Sequence, residues 1–112
     1  MRETGVRDTA QEAVQTSREI LALFEADREK LAGLGRSSAS ALRLHQLLQR
    51  MPVLTAPGMA EALSLTPPTV RSALRALTRL GIVEELTGKR RDRVYAYGPY
   101  LRILNEGAET SG

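Results

Sequence analysis

Residues 55–81 read TAPGMAEALSLTPPTVRSALRALTRLG. Thr55 offers a hydroxyl cap to a short helix that opens at Ala56, and Pro57 sits in the first turn, where its missing N–H costs nothing. Met59, Ala60 and Leu63 give this helix one apolar face. Ser64-Leu-Thr66 makes a three-residue turn. Thr66 then caps a second helix, which Pro67 opens in the favoured first position. Val70, Ala73, Leu74, Leu77 and Leu80 recur at helical spacing until Gly81 ends the run. A short helix, a tight turn and a longer helix form the helix-turn-helix pattern, in which the second helix enters the major groove.

Beyond Gly81 the period shortens. Residues 82–86 and 93–97 are rich in β-branched and aromatic side chains, and residues 87–92 between them contain a glycine and three cations. This predicts a β-hairpin with a basic tip, closed by Gly98-Pro99. Upstream, Ala41, Leu44, Leu47, Leu48 and Met51 line one side of a helix over 38–50 that Pro52 stops, with His45 at its boundary. Thr9-Ala-Gln-Glu12 has capping-box spacing and predicts the start of a helix running to Ala32, about 35 Å long. Its apolar seam is Ala10, Ala13, Ile20, Phe24, Leu31 and Leu34, broken by Ser17 and Asp27. Such a seam wants a partner, and a homodimer through this helix is the expectation. The fold expected is mainly α: a winged helix-turn-helix (three-helix bundle plus two-stranded β-hairpin wing) behind a long N-terminal helix. Residues 1–36 form the connector or dimerisation helix and 37–105 the winged domain. A last helical turn is expected over 100–105, and 106–112 make a disordered tail.

With Val70, Leu74 and Leu77 facing inward, Pro68, Ser72, Arg75 and Arg79 fall on the outer face of the second motif helix, flanked by Thr69 and Arg71. Arginine can bond guanine bidentately, and hydroxyls reach bases or phosphates. Lys89, Arg90, Arg91 and Arg93 place four cations at the hairpin tip, which burial forbids. They read as a wing on phosphate or in the minor groove, against the plainer alternative of charge that protects an edge strand.

Composition narrows the function further. The 112 residues carry a net charge of +3, but 66–102 hold eight basic and three acidic residues, whereas 1–35 hold five and seven. One basic end on a nearly neutral chain suggests a polyanion bound by one face. Four aromatic residues and no tryptophan argue against base-stacking single-strand modules. No cysteine and one histidine leave no thiol nucleophile and no multi-histidine metal site. Glu84 and Glu85 are neighbours on a strand and point to opposite faces, so they cannot act as a carboxylate pair. No enzyme activity and no cofactor are expected. With neither a signal peptide nor a membrane span in the sequence, a soluble cytoplasmic chain is expected.

Several pieces resemble the C-terminal region of bacterial Fic (filamentation induced by cAMP) family proteins, an adenylyl-transfer family with a winged-helix tail. They are Ala41-Leu-Arg-Leu-His-Gln-Leu-Leu48, Leu65-Thr-Pro-Pro-Thr-Val70 and Leu80-Gly-Ile-Val-Glu-Glu-Leu-Thr-Gly88. Lys89-Arg-Arg-Asp-Arg-Val-Tyr-Ala-Tyr97 and Tyr100-Leu-Arg-Ile-Leu-Asn-Glu-Gly107 complete the set. The family's catalytic motif is absent, so the resemblance implies no adenylyl transfer. It implies a regulatory tail whose first helix connects to a catalytic core. Two functions follow as expectations: duplex DNA binding, or docking on a Fic catalytic core or another subunit without DNA.

Overall fold

A computed structural model describes residues 2–87 and 93–111. Helix α1 spans Arg2–Ala32, and a 3-10 turn at Gly35–Ser37 leads into α2, Ser38–Arg50. Strand β1 (Val53–Thr55), helix α3 (Ala56–Leu63) and helix α4 (Pro67–Arg79) follow. Strands β2 (Glu84–Glu85) and β3 (Val94–Ala96) precede α5, Gly98–Ser111. The chain is mainly helical, with one small antiparallel sheet ordered β1-β3-β2.

The motif forms as its caps dictate. The Thr55 hydroxyl accepts from the Gly58 N–H at 3.1 Å, and the Thr66 hydroxyl accepts from the Thr69 N–H at 3.4 Å. Both motif helices end alike. Leu65 N donates to Ala60 O and Ile82 N donates to Leu77 O, with Ser64 (φ 54°) and Gly81 (φ 77°) in the left-handed conformation that this closure demands. Ser64 accepts a backbone that glycine would take without cost. Arg43 reinforces the first ending by donating from Nη2 to the Leu63 carbonyl at 2.8 Å.

The core is built from Leu44, Leu47, Leu48, Met59, Val70, Leu74, Leu77 and Ile82, as the spacing predicts, joined by Leu31, Ala41, Ala73, Val83 and Tyr97. Leu63 is only partly buried, and Met51, expected on the inner side, is exposed. Three other expectations need correction. The hairpin strands are shorter than 82–86 and 93–97, because Ile82 and Val83 close the end of α4 and bury themselves before β2 begins. The wing also has a third strand: β1 pairs with β3 in the register Val53↔Ala96, Leu54↔Tyr95 and Thr55↔Val94. Helix α5 continues to Ser111, beyond the single turn expected over 100–105 and into the stretch expected to be a frayed tail.

Helix α1 begins at Arg2, seven residues before the capping box at Thr9. Gly5 lowers helix propensity by about 1 kcal/mol without stopping a helix. Helix α1 packs on α2 and α5. Phe24, Leu31 and Leu34 therefore belong to the chain's own core cluster and are not a free seam. Asp27, which breaks the apolar pattern, is buried at 3% exposure and forms the centre of this contact. The Tyr97 hydroxyl donates to Asp27 Oδ2 at 2.6 Å, and His45 Nε2 lies 3.0 Å from the same hydroxyl. Having given its one proton to the carboxylate, the hydroxyl can only accept from His45, so the imidazole carries its proton on Nε2. Its Nδ1 then accepts from the Gln49 amide at 3.3 Å. Phe24 and Tyr100 pack around these rings, with centroids 5.0 Å apart. His45 is thus a buried core residue and not a boundary one.

Candidate nucleic-acid interface

Helix α4 sits with its apolar stripe against α2 and α3, which turns its polar arc outward. That arc is divided between two clefts. Arg71, Arg75, Thr78 and Arg79 face the sheet, where Glu85, Arg93 and Tyr95 complete an open cleft of about 480 Å³ floored by Leu74. Pro68, Thr69 and Ser72 face the other way, toward Arg36 and Ser40, around a cleft of about 320 Å³. The six residues read as one face therefore occupy two sides of one ridge, because α4 stands between the sheet and the start of α2.

The electrostatics of the first cleft are one-sided. Arg71, Arg75 and Arg79 are exposed, and among the described residues no ion pair engages them. Arg93 lies at the foot of the wing, with Nε 3.8 Å from Glu85 Oε1. The Thr87 hydroxyl donates to Glu85 Oε2 at 3.2 Å and accepts from the Val94 N–H at 3.4 Å, which fixes that carboxylate at the base of the hairpin. Glu84, its neighbour on β2, is exposed on the opposite face, as strand alternation requires. Lys89, Arg90 and Arg91 lie outside the described residues.

A third cleft, about 410 Å³, adjoins the first. Ala56, Pro57, Ala60, Pro67 and Val70 line it, with Arg71, Arg93 and Tyr95 at its rim. Spacing alone missed Tyr95, Thr78 and Arg36 as members of this surface. Thr78 is one turn from Arg75 and could have been read off the wheel. Tyr95 and Arg36 come from other elements and carry no local signal.

Residues 38–84 match the family model described as winged helix-turn-helix DNA-binding. The fold is a winged helix. No curated protein matches the sequence. Solved structures of similar course include a MarR family transcription regulator with TM-score 0.48 and 22% identity over 98% of this chain and 78% of that one. A MarR family protein from Bacillus stearothermophilus gives 0.46 and 19% over 94% and 75%. The S. aureus MepR–DNA complex gives 0.43 and 20% over 94% and 86%.

The family match overturns the resemblance to Fic proteins, since the model that residues 38–84 match is a winged helix-turn-helix DNA-binding one. The pieces that carry that resemblance are mostly what a winged helix itself requires. Thr66 and Pro67 start α4, Gly81 closes it, and the apolar run of α2 fills the core. A Fic catalytic core is therefore withdrawn as a partner. Among the described residues no group of three histidine, cysteine, aspartate or glutamate side chains could hold a metal, and no helix is long and apolar enough to cross a membrane.

Proposed function

We propose that this chain is a non-enzymatic regulator of transcription, working in the cytoplasm, that binds duplex DNA with α4 in the major groove and the hairpin on the adjoining backbone or minor groove. The observation that carries this reading is the cleft between α4 and the sheet. There Arg71, Arg75 and Arg79 converge with Arg93, and Glu85, the one carboxylate lining it among the described residues, is held at its foot. In this reading Arg71 and Arg75 contact guanine edges, while Lys89, Arg90 and Arg91 supply phosphate contacts. If about five cations neutralise phosphates, log K falls against log salt with a slope near −4 to −5. Titration of a mixed-sequence duplex at several salt concentrations checks this. Alanine at Lys89, Arg90 and Arg91 weakens all sequences alike and flattens the slope, whereas Arg75→Ala relaxes sequence preference. No binding up to about 100 μM at physiological salt defeats the reading, since even non-specific binders usually reach about 1–100 μM there. Docking of the winged helix on another protein would then be the better account.

Self-association through α1 is retained on different residues from those first expected. Phe24 and Leu31 are occupied within the chain, but Val14 and Leu21, seven residues apart on one side of α1, are 51% and 66% exposed. Two copies pairing there would set two α4 helices against one duplex, the usual geometry of dimeric helix-turn-helix binders. Sedimentation equilibrium of the parent chain and of Leu21→Glu reads this directly. A dimer that the substitution dissociates supports it, and a monomeric parent ends it.

A further inference from the structure

The cleft on the far side of α4 has a chemistry of its own. Arg36 and Ser40 approach it from the start of α2, and Thr69 and Ser72 from α4. The polar side chains around it are one guanidinium and three hydroxyls, with no carboxylate among them. Arg28 and Lys30 each stand beside a carboxylate, whereas Arg36 is exposed and no ion pair among the described residues engages it. Gly35 immediately before it has φ 74°, a left-handed turn open to glycine, and this turn carries the chain from α1 to the lip of the cleft.

We infer that Arg36, with Ser40, Thr69 and Ser72, seats a backbone phosphate of the same duplex that α4 reads. The inference rests on the DNA-binding reading. A guanidinium fork beside hydroxyl donors suits a phosphate's spread negative charge, and the absence of a lining carboxylate leaves nothing to repel it. Pro68, Thr69, Ser72 and Ala73 of α4 line the cleft, so a phosphate on a strand passing that flank of α4 would lie beside Arg36. Arginines grip one flank of α4 and this seat grips the other, which fixes the rotation of α4 within the groove. Ser72 accordingly positions the duplex and does not read a base.

The test is fluorescence anisotropy with a mixed-sequence duplex at about 50 and 200 mM salt, comparing the full chain with Arg36→Ala, Arg36→Lys and Arg28→Ala. One lost phosphate contact lowers the slope by about 0.9, so the advantage of the parent over Arg36→Ala shrinks about 3.5-fold between those salts. Arg36→Lys keeps the slope because it keeps the charge, and Arg28→Ala changes nothing. Parent-like affinity and slope in Arg36→Ala overturn the seat while leaving the DNA reading intact. A parent chain that binds no duplex overturns both.

Discussion

Leu74→Ala is expected to destabilise the domain by about 2–5 kcal/mol, the range for removing a buried leucine and leaving a cavity. Leu74 is 3% exposed on the inner stripe of α4, where it meets the core shared with α2 and α3, and it also floors the arginine cleft. For a domain whose total stability is about 5–15 kcal/mol, the loss is a large fraction of the whole. Urea unfolding gives the number, with an unchanged denaturant slope showing that the two end states are the same. A loss below about 1 kcal/mol would mean the surroundings collapse onto the site, contrary to the packing described. Because Arg71 and Arg75 flank Leu74, duplex affinity should fall too at temperatures where the variant is still folded.

Tyr97→Phe should cost about 2–4 kcal/mol, more than removal of an ordinary hydroxyl. Its hydroxyl is shared by two buried groups, Asp27 and His45, and both lose their partner at once. Lys30, 3.6 Å from Asp27, stands half in solvent and cannot replace a direct hydrogen bond. The same cluster sets a pH dependence. Burial holds the His45 imidazole below its ordinary 6.5, against the opposing pull of Asp27 and with a smaller push from Arg28. The unfolded chain therefore binds the proton first. Stability is full above about pH 6.5 and declines as pH falls from there toward the lower folded value. Burial, followed by the bond to Asp27, pushes the Tyr97 phenol above its ordinary 10.0, so stability also declines as pH rises through about 10. His45→Gln should abolish the decline just below pH 6.5, read by chemical unfolding at a series of pH values. An unchanged slope in that variant, or parent-like stability in Tyr97→Phe, would remove the cluster from the account of how α1 is held.

The local elements were legible because their signals are local. Thr55 and Thr66 accept bonds from N–H groups three residues on, Pro67 has its angle preset, and Gly81 tolerates a left-handed backbone. None of these depends on what lies across the fold. The outward arc of α4 follows from its apolar stripe by the same logic, so the exposure of Arg71, Arg75 and Arg79 was legible in the sequence. Strand β1 was not legible: three residues without alternation become a strand only when β3 supplies the hydrogen bonds. The division of the α4 arc between two clefts was equally hidden, since it depends on the sheet standing to one side and Arg36 to the other.

Asp27 and His45 show the same limit from the opposite direction. On a helical pattern a buried aspartate is indistinguishable from a flaw in the seam, and a lone histidine from a boundary residue. What converts them into the join between α1 and the winged domain is Tyr97, 70 and 52 residues away, whose one hydroxyl satisfies both. Caps, turns and the polar face of α4 were thus determined by the sequence itself, through interactions spanning a few residues. The third strand, the two clefts beside α4 and the attachment of α1 were decided by tertiary structure, because strands, clefts and buried polar side chains all need partners distant in the chain.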